Sequence, residues 1–459
     1  MNSDFFDSFK SFQTAGKGAY KPGLERMEFL DQMMGHPHRR YRCVHVAGTN
    51  GKGSVSNMLA SLLSSTGLKV GLYTSPHILD LRERARVIDG DGVRLIDGDS
   101  VDRFVAEWGE TSLNLGLSFF EVTTAMAFWW FAEEKVDWAV IEVGLGGRMD
   151  STNIIMPELS VITNIGLDHC DILGETLPEI AYEKAGIIKP LVPVVVGESS
   201  SETDPVFERK VLYTNLPEAE FMGDRNRIMS LLTFADKTEP SGWNGSETLL
   251  GEMDLQGCYQ RKNLRTVLAA LDRLSGKVPG LVAGGRLSDD AVNALVHTAS
   301  RMDFHGRWER LQKPGTAPDG SPLCEVICDI GHNAHGLKYN FAQLERLQSE
   351  GRHLIIVYGS VADKDVDAVL RLMPSGADIF FTNADNGRAL PAADACSRYL
   401  RCCEETGREP SRTSVVPSVA EAVAAALSLG GKLAADGGAQ PLLYIGGSTY
   451  VVSEAVRCF

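Results

Sequence analysis

The stretch Val44 to Ser54, VHVAGTNGKGS, constrains this chain more than any other: a β-rich run passes straight into a glycine-punctuated loop and then into the helical SVSNMLASLL. Strand, loop and helix in that order leave few folds open. Glycines let backbone N–H groups wrap phosphate oxygens, the helix start adds positive potential, and Lys52 supplies a mobile charge, so nucleotide phosphates are the expected ligand. Gly53 separates Lys52 from Ser54, so the run departs from the common GxxxxGK[ST] form, and its context carries the reading. A turn that merely joined strand to helix would leave Lys52 without an anion partner. Ser54 is the first candidate magnesium ligand, because a hydroxyl at the helix start reaches a metal that bridges phosphates.

Around this loop, apolar strand-like runs alternate with helical patterns: YRCVHVAG, a helix from about Lys52, then KVGLYTS, WAVIEVG, LSVITNI and PVVVG. That alternation implies a parallel sheet. ARVIDGDGVRLID, with Asp-Gly steps between β-prone runs, reads as an inserted hairpin lying at the surface. Leu117 to Ala132 is the most apolar long stretch, yet Glu121, Thr123 and Thr124 interrupt it and it falls short of a membrane span, so it reads as a buried helix. From about Glu198 to Glu252 the mixed runs SSSETDP and KTEPSGWNGSE read as edge strands with loops.

A Gly/Pro-rich stretch from about Lys313, KPGTAPDGSP, reads as a boundary, giving domains over 1–312 and 313–459. Two domains are also what 459 residues lead one to expect. Beyond the boundary come CEVICDI, a helix over about Gly336 to Gln348, HLIIVYG, a helix near Val366 to Leu372, DIFFTNA, further helices and PLLYIGG. This is a smaller doubly wound, Rossmann-like α/β domain. No repeat of fixed period is present, which excludes a solenoid.

A net charge of -15 argues against a broad footprint for nucleic acid or an anionic membrane, so any anionic ligand must meet a local positive site. The opening MNSDFFDSFK has no apolar core of a secretory signal, and nine cysteines without paired CxxC spacing suit reduced thiols; both fit a cytoplasmic protein.

Polar residues gather where strands end. Glu142 closes the apolar run WAVIE, where ligands collect in parallel sheets, and can hold magnesium or a metal-bound water. Another apolar strand ends in Asp168 and His169, followed by a helix carrying Glu183 and Lys184. His169 can ligate a second cation or position phosphate, although a capping histidine would look the same.

These motifs resemble one family closely: folylpolyglutamate synthase and the bifunctional dihydrofolate synthase, relatives of the Mur ligases. The likeness spans nearly the whole chain, in HVAGTNGKGS, YTSPH (Tyr73 to His77), SFFEVTTAMAF, EVGLGGRMDSTN (Glu142 to Asn153), GLDH, EKAGIIKP, YQRKN (Tyr259 to Asn263), HGR (His305 to Arg307), DIGHNAHG (Asp329 to Gly336), ADKD and GGSTYVV. The resemblance implies a P-loop ATPase domain like the Mur ligase central domain, followed by the Rossmann-like domain. It implies a reaction in which ATP phosphorylates a carboxylate of a pterin compound, the amino group of L-glutamate attacks the acyl phosphate, and phosphate leaves. Tetrahydrofolate or dihydropteroate would be the acceptor, within folate biosynthesis and one-carbon metabolism.

The resemblance also assigns residues. ATP contacts would be Thr49, Asn50, Gly51, Lys52, Gly53 and Ser54, with Asn263, Arg307 and Asp329. Two magnesium ions would be held by Ser54, Ser75, Glu142, His169 and Lys184, the last matching a lysine that is carbamylated in the family. The catalytic set would be Lys52, Glu142, His169, Lys184 and His332. Pterin contacts would come from Leu24, Glu25, Arg26 and Met27, from Phe120 and Glu121, and from Asp150 and Ser151. Neighbouring Phe119, Phe128, Trp129 and Trp130 read as core. DIGHNAHG departs from the commoner DGAHNPHG at Ile330, Gly331 and Ala334, and the lost proline frees one φ. The family further implies a monomer; potassium activation is left open, as is the choice between chain extension alone and chain extension with the first glutamate addition. Two other readings stand beside this one: a Mur-type ligase acting on a UDP-muramoyl acceptor, and a nucleotide-dependent switch without ligase chemistry.

Overall fold

The computed structural model describes residues 5–6, 8–9, 18, 21–216, 225–238, 246–318, 320–437 and 439–459. The chain forms two compact units, Met1–Asp254 with Gln260–Phe304, and Leu255–Tyr259 with His305–Phe459. Among the described residues no helix is long and apolar enough to cross a membrane.

In the first unit, eight strands make one sheet: β1 (Arg42–Ala47), β2 (Val70–Tyr73), β3 (Ala85–Asp89), β4 (Gly92–Leu95), β5 (Trp138–Glu142), β6 (Leu159–Ile162), β7 (Val194–Val196) and β8 (Leu232–Phe234), in the order β4-β3-β2-β5-β1-β6-β7-β8. β2, β5, β1, β6, β7 and β8 run parallel, and β3 and β4 are antiparallel additions at one edge. The central strands are continuous Val/Ile/Leu-rich runs because both faces are covered. The helices that matter below are α1 (Glu25–Met33), α2 (Lys52–Ser64), α3 (Phe119–Glu133), α4 (Leu177–Lys184) and α5 (Gln260–Leu274). α2 is buried from Gly53 through Leu63.

The Leu117–Ala132 run is helical and buried as read. Ser118 and Glu121 start α3 with a reciprocal cap, and Phe119, Phe128, Trp129 and Trp130 belong to the core with Phe104 and Ile141. Two expectations need correcting. The ARVIDGDGVRLID hairpin exists, but only β4 is at the surface: β3 is buried because it pairs with β2 on one side and β4 on the other. Between 198 and 252, the one edge strand is β8, and the described residues otherwise form helices at Asp204–Thr214, Arg225–Met229 and Ser246–Glu252. Much of KTEPSGWNGSE lies outside the described residues. A short ladder of β9 (Val282–Ala283) and β10 (Arg286–Leu287) completes this unit.

The second unit holds β11 (Glu309–Gln312), the small pair β12 (Gly315–Thr316) and β13 (Pro322–Leu323), then β14 (Glu325–Asp329), β15 (His353–Tyr358), β16 (Asp378–Asn383), β17 (Arg412–Ser418) and β18 (Pro441–Gly446). Six of them form a sheet in the order β11-β14-β18-β15-β16-β17, parallel except for β11. This places the division at 304/305 rather than 312/313: β11 is hydrogen-bonded to β14, and the Gly/Pro-rich stretch is the β12–β13 turn inside the unit. β17 was absent from the sequence reading because Pro417 and an exposed face weaken its pattern; an edge strand tolerates both.

Candidate active site

β1 lies between β5 and β6, with Val46 opposite Glu142 and Ala47 opposite Ile162, while Tyr73 of β2 lies opposite Ile141. The C-terminal ends of four parallel strands therefore share one edge, and the loops starting at Gly48, Thr74, Val143 and Thr163 leave from it. In open α/β sheets ligands bind there.

The phosphate loop is tightly built. Gly48 and Gly51 have φ of 148° and 81°, and a Cβ at Gly48 would fall 1.8 Å from Thr163 Oγ1. Only glycine fits both the conformation and the space. Thr49 exchanges hydrogen bonds with Gly166, its Oγ1 donating to the carbonyl at 3.1 Å and accepting from the amide at 3.0 Å, and Asn50 N donates to Asn164 Oδ1 at 3.0 Å. α2 begins at Gly51 without a side-chain cap, so its first N–H groups face the loop. Lys52 Nζ donates to the carbonyls of Gly48 at 3.1 Å and Thr49 at 3.2 Å. From α4, Lys184 Nζ donates to the same Gly48 carbonyl at 2.9 Å. Burial, reinforced by Lys52, pushes the Lys184 amine down to about 7, against the pull of Asp168 and Asp150. Buried Ser54 accepts from Gln260 Nε2 of α5 at 3.2 Å, and Asn263 lies against Gly51, where a Cβ would meet its Oδ1 at 2.3 Å.

Glu142 is 3% exposed, and its Oε2 accepts from Ser75 N at 3.3 Å, bringing two of the expected metal ligands together. His169 has a left-handed backbone, φ 52°, at the start of the short helix Cys170–Leu173, and its amide donates to Asp168 Oδ1 at 2.9 Å. Among the described residues no three His, Cys, Asp or Glu side chains form a metal site by themselves.

Of the residues expected at a pterin, Arg26 and Glu121 meet each other, Nε to Oε1 at 3.0 Å, while Glu121 Oε2 also accepts from the amide and hydroxyl of Ser118 at 2.7 Å. Leu24 precedes α1, Glu25 is exposed, and Met27 is core. Phe120 covers Gly144 so closely that a Cβ there would lie 2.3 Å from the ring. Asp150 shapes its own turn, accepting from Leu145 N at 2.9 Å and Thr152 N at 3.0 Å, and burial raises its carboxyl. Ser151 Oγ is 3.1 Å from Thr124 Oγ1, which is 3.0 Å from the Tyr73 hydroxyl.

Sequence reasoning passed over Arg84 and His77. Arg84 is buried, stacks on Phe119 at 5.2 Å, and donates from Nε to His77 Nδ1 at 2.9 Å; burial lowers its basicity while Tyr73 and Glu142 support its charge. Burial, with Arg84 beside it, pushes His77 down to about 3, so the ring is neutral and able to accept. Arg84 closes the short 3-10 turn Leu81–Arg84 just before β3, and nothing in the charged run LRERAR marks it as buried.

In the second unit, Asp329 ends β14. Its Oδ2 accepts from Tyr259 Oη at 2.6 Å and Trp308 N at 2.8 Å, and its Oδ1 from Gly331 N at 2.7 Å. His332 Nδ1 lies 3.2 Å from the Ile330 carbonyl, and Asn333 caps α6 (Ala334–Ser349) by accepting from Gly336 N at 2.8 Å. Arg307 Nη1 donates to the Gly306 carbonyl at 3.1 Å.

Together, the phosphate loop on a parallel sheet and the Rossmann-like unit that follows define an ATP-dependent ligase of the Mur type. The Mur ligase middle domain matches residues 46–202, and the Mur ligase glutamate ligase domain matches 306–433. The dihydrofolate synthase/folylpolyglutamate synthase of Bacillus subtilis is 33% identical over 391 residues, covering 82% of this chain and 85% of its own. This chain belongs to the folylpolyglutamate synthase/dihydrofolate synthase family. The Mycobacterium tuberculosis relative of the same name is 32% identical over 436 residues, 90% of this chain and 84% of its own. The solved structure of M. tuberculosis folylpolyglutamate synthase with ADP matches with a TM-score of 0.74 at 27% identity over 99% of this chain and 96% of that one. E. coli FolC in complex with DHPP and ADP matches at 0.70 and 26% identity over 99% and 95%. Relatives with folate names set aside the UDP-muramoyl reading, and ligase domains in both units set aside the bare switch.

Proposed function

We propose that this enzyme uses ATP and magnesium to phosphorylate a carboxylate of tetrahydrofolate or dihydropteroate, releasing ADP, and that the amino group of L-glutamate then attacks the acyl phosphate to form the amide, releasing phosphate. The observation that carries this reading is the convergence of Lys52 and Lys184 on the Gly48 carbonyl at the uncapped start of α2. Thr49 to Ser54 and Asn263 are the first unit's nucleotide contacts in this reading, and Arg307 and Asp329 are the second unit's. Lys52 offsets charge on the phosphoryl group in flight, a task worth more in a buried setting than in water.

Magnesium, when bound, neutralises the phosphate oxygens; Glu142, Ser75, His169 and Ser54 are the residues that would hold it, in two sites. Lys184 would join them as a carbamate, which needs a neutral amine, and an amine at about 7 supplies one near neutral pH. The pterin contacts in this reading are Leu24, Glu25, Arg26, Met27, Phe120, Glu121, Asp150 and Ser151. His332 is the catalytic residue of the second unit in this reading. Nine free thiols fit a reducing cytoplasm, where we take the enzyme to work as a monomer.

The test is phosphate release from ATP and magnesium with L-glutamate, comparing dihydropteroate, tetrahydrofolate and no pterin, with product masses read in parallel. Glutamate-dependent turnover with both acceptors establishes both activities. Turnover with tetrahydrofolate alone restricts the enzyme to chain extension, and turnover with neither overturns the proposal.

A further inference from the structure

Gln260 opens α5 and is completely buried, yet its side-chain amide is occupied at both ends. Its Nε2 donates to Ser54 Oγ at 3.2 Å, and its Oε1 accepts from Asn263 Nδ2 at 2.7 Å. Asn263 in turn presses on Gly51, the residue from which α2 begins. One uncharged side chain thus joins the start of α2 to the start of α5.

The direction of these bonds matters. Because the amide donates to Ser54, the serine oxygen spends one lone pair on it and keeps the other, together with its own proton. A carboxylate at 260 would reverse this, accepting the serine proton and adding negative charge beside the phosphates. An alanine would leave both partners buried and underbonded.

We propose that Gln260 is a positioning residue for the magnesium nucleotide: it fixes the Ser54 hydroxyl and Asn263 in one arrangement, so that they receive metal and phosphate as a unit. This rests on the reading of Thr49 to Ser54 as the ATP site. It assigns to Gln260 no contact with substrate.

The experiment is calorimetric titration with ADP, in magnesium and in EDTA, of the full-length wild type, Ser54→Ala, Gln260→Ala, Gln260→Glu and the double variant Ser54→Ala/Gln260→Ala, with thermal melts alongside. The expected result is a loss of about tenfold in affinity for the magnesium nucleotide in Gln260→Ala, and at least as much in Gln260→Glu, with less than about threefold change in EDTA. In the double variant the two losses should fail to multiply, because both remove one shared arrangement. Multiplying losses, or equal losses with and without magnesium, would overturn the proposal. Should Gln260→Ala not fold, the near-isosteric Gln260→Glu carries the same comparison, and an unchanged magnesium dependence there would sink it. No ADP binding by the wild type would instead count against the ATP site itself.

Discussion

Two strand–loop–helix turns, one in each unit, look alike on paper and are built oppositely. After β1, the chain turns on two glycines with positive φ and enters α2 with no side-chain cap. After β14, it turns through Gly331 and His332 and enters α6 under the cap of Asn333, while Asp329 takes three hydrogen bonds from its surroundings. The first turn leaves N–H donors for an anion and brings two lysines to a single carbonyl. The second holds its own backbone through these bonds, and what it offers a ligand is the side chains of Asp329 and His332 rather than a bare helix start. An open helix start is a receptor, whereas a capped one is a support.

The contrast is broken most decisively at Lys52. Lys52→Ala should cut turnover by about 10²–10³-fold while the melting temperature holds, and a variant with near-normal turnover would remove the phosphate role. Lys184→Ala comes next, at about 10²-fold, with partial restoration by short carboxylic acids that stand in for a carbamate. In the wild type the neutral amine gains population as pH rises through about 7, so activation by added bicarbonate should grow over that range. Activity indifferent to both treatments would mean an unmodified lysine.

On the self-satisfied side, substitutions should act on stability first. Tyr259→Phe removes one charge-assisted bond to Asp329 and should cost about 1.5–3 kcal/mol in denaturant unfolding. Asn333→Ala removes the α6 cap at about 1 kcal/mol. If either altered turnover without altering stability, Tyr259 or Asn333 would itself act on a ligand rather than hold the turn.

The smallest effect is expected from Asp31→Asn, remote in sequence from both turns. Buried Asp31 lies 2.6 Å from His36 Nδ1 and 2.7 Å from His38 Nδ1, and these partners outweigh burial to hold its carboxyl below the usual value. A carboxyl lowered on folding stabilises above its unfolded value of about 3.8 and ceases to as pH falls through the folded one. Wild type should therefore exceed the variant at pH 7, and the gap should close in acid.

The contrast also explains what was legible in the sequence. HVAGTNGKGS could be read because its function is contiguous, and Glu142 because a strand end is a readable place. The capping box of Ser118 and Glu121 is equally local. Gln260 and Tyr259 were legible only as letters of the YQRKN run and not by role, because the partner Ser54 is 206 positions from the first and Asp329 is 70 from the second. Arg84 sits in a run of charges that looks solvated, and only the packing of Tyr73, Phe119 and Glu142 around it, from distant parts of the chain, makes it a buried cation.

Tyr259 leaves the ribosome long before its partner. Seventy residues separate it from Asp329, so at about 5–20 residues per second its phenol waits roughly 4–14 seconds for the carboxylate it will hold. Since Leu255–Tyr259 belongs to the second unit while Gln260–Phe304 belongs to the first, the nascent chain must set aside a five-residue piece of one body while finishing the other.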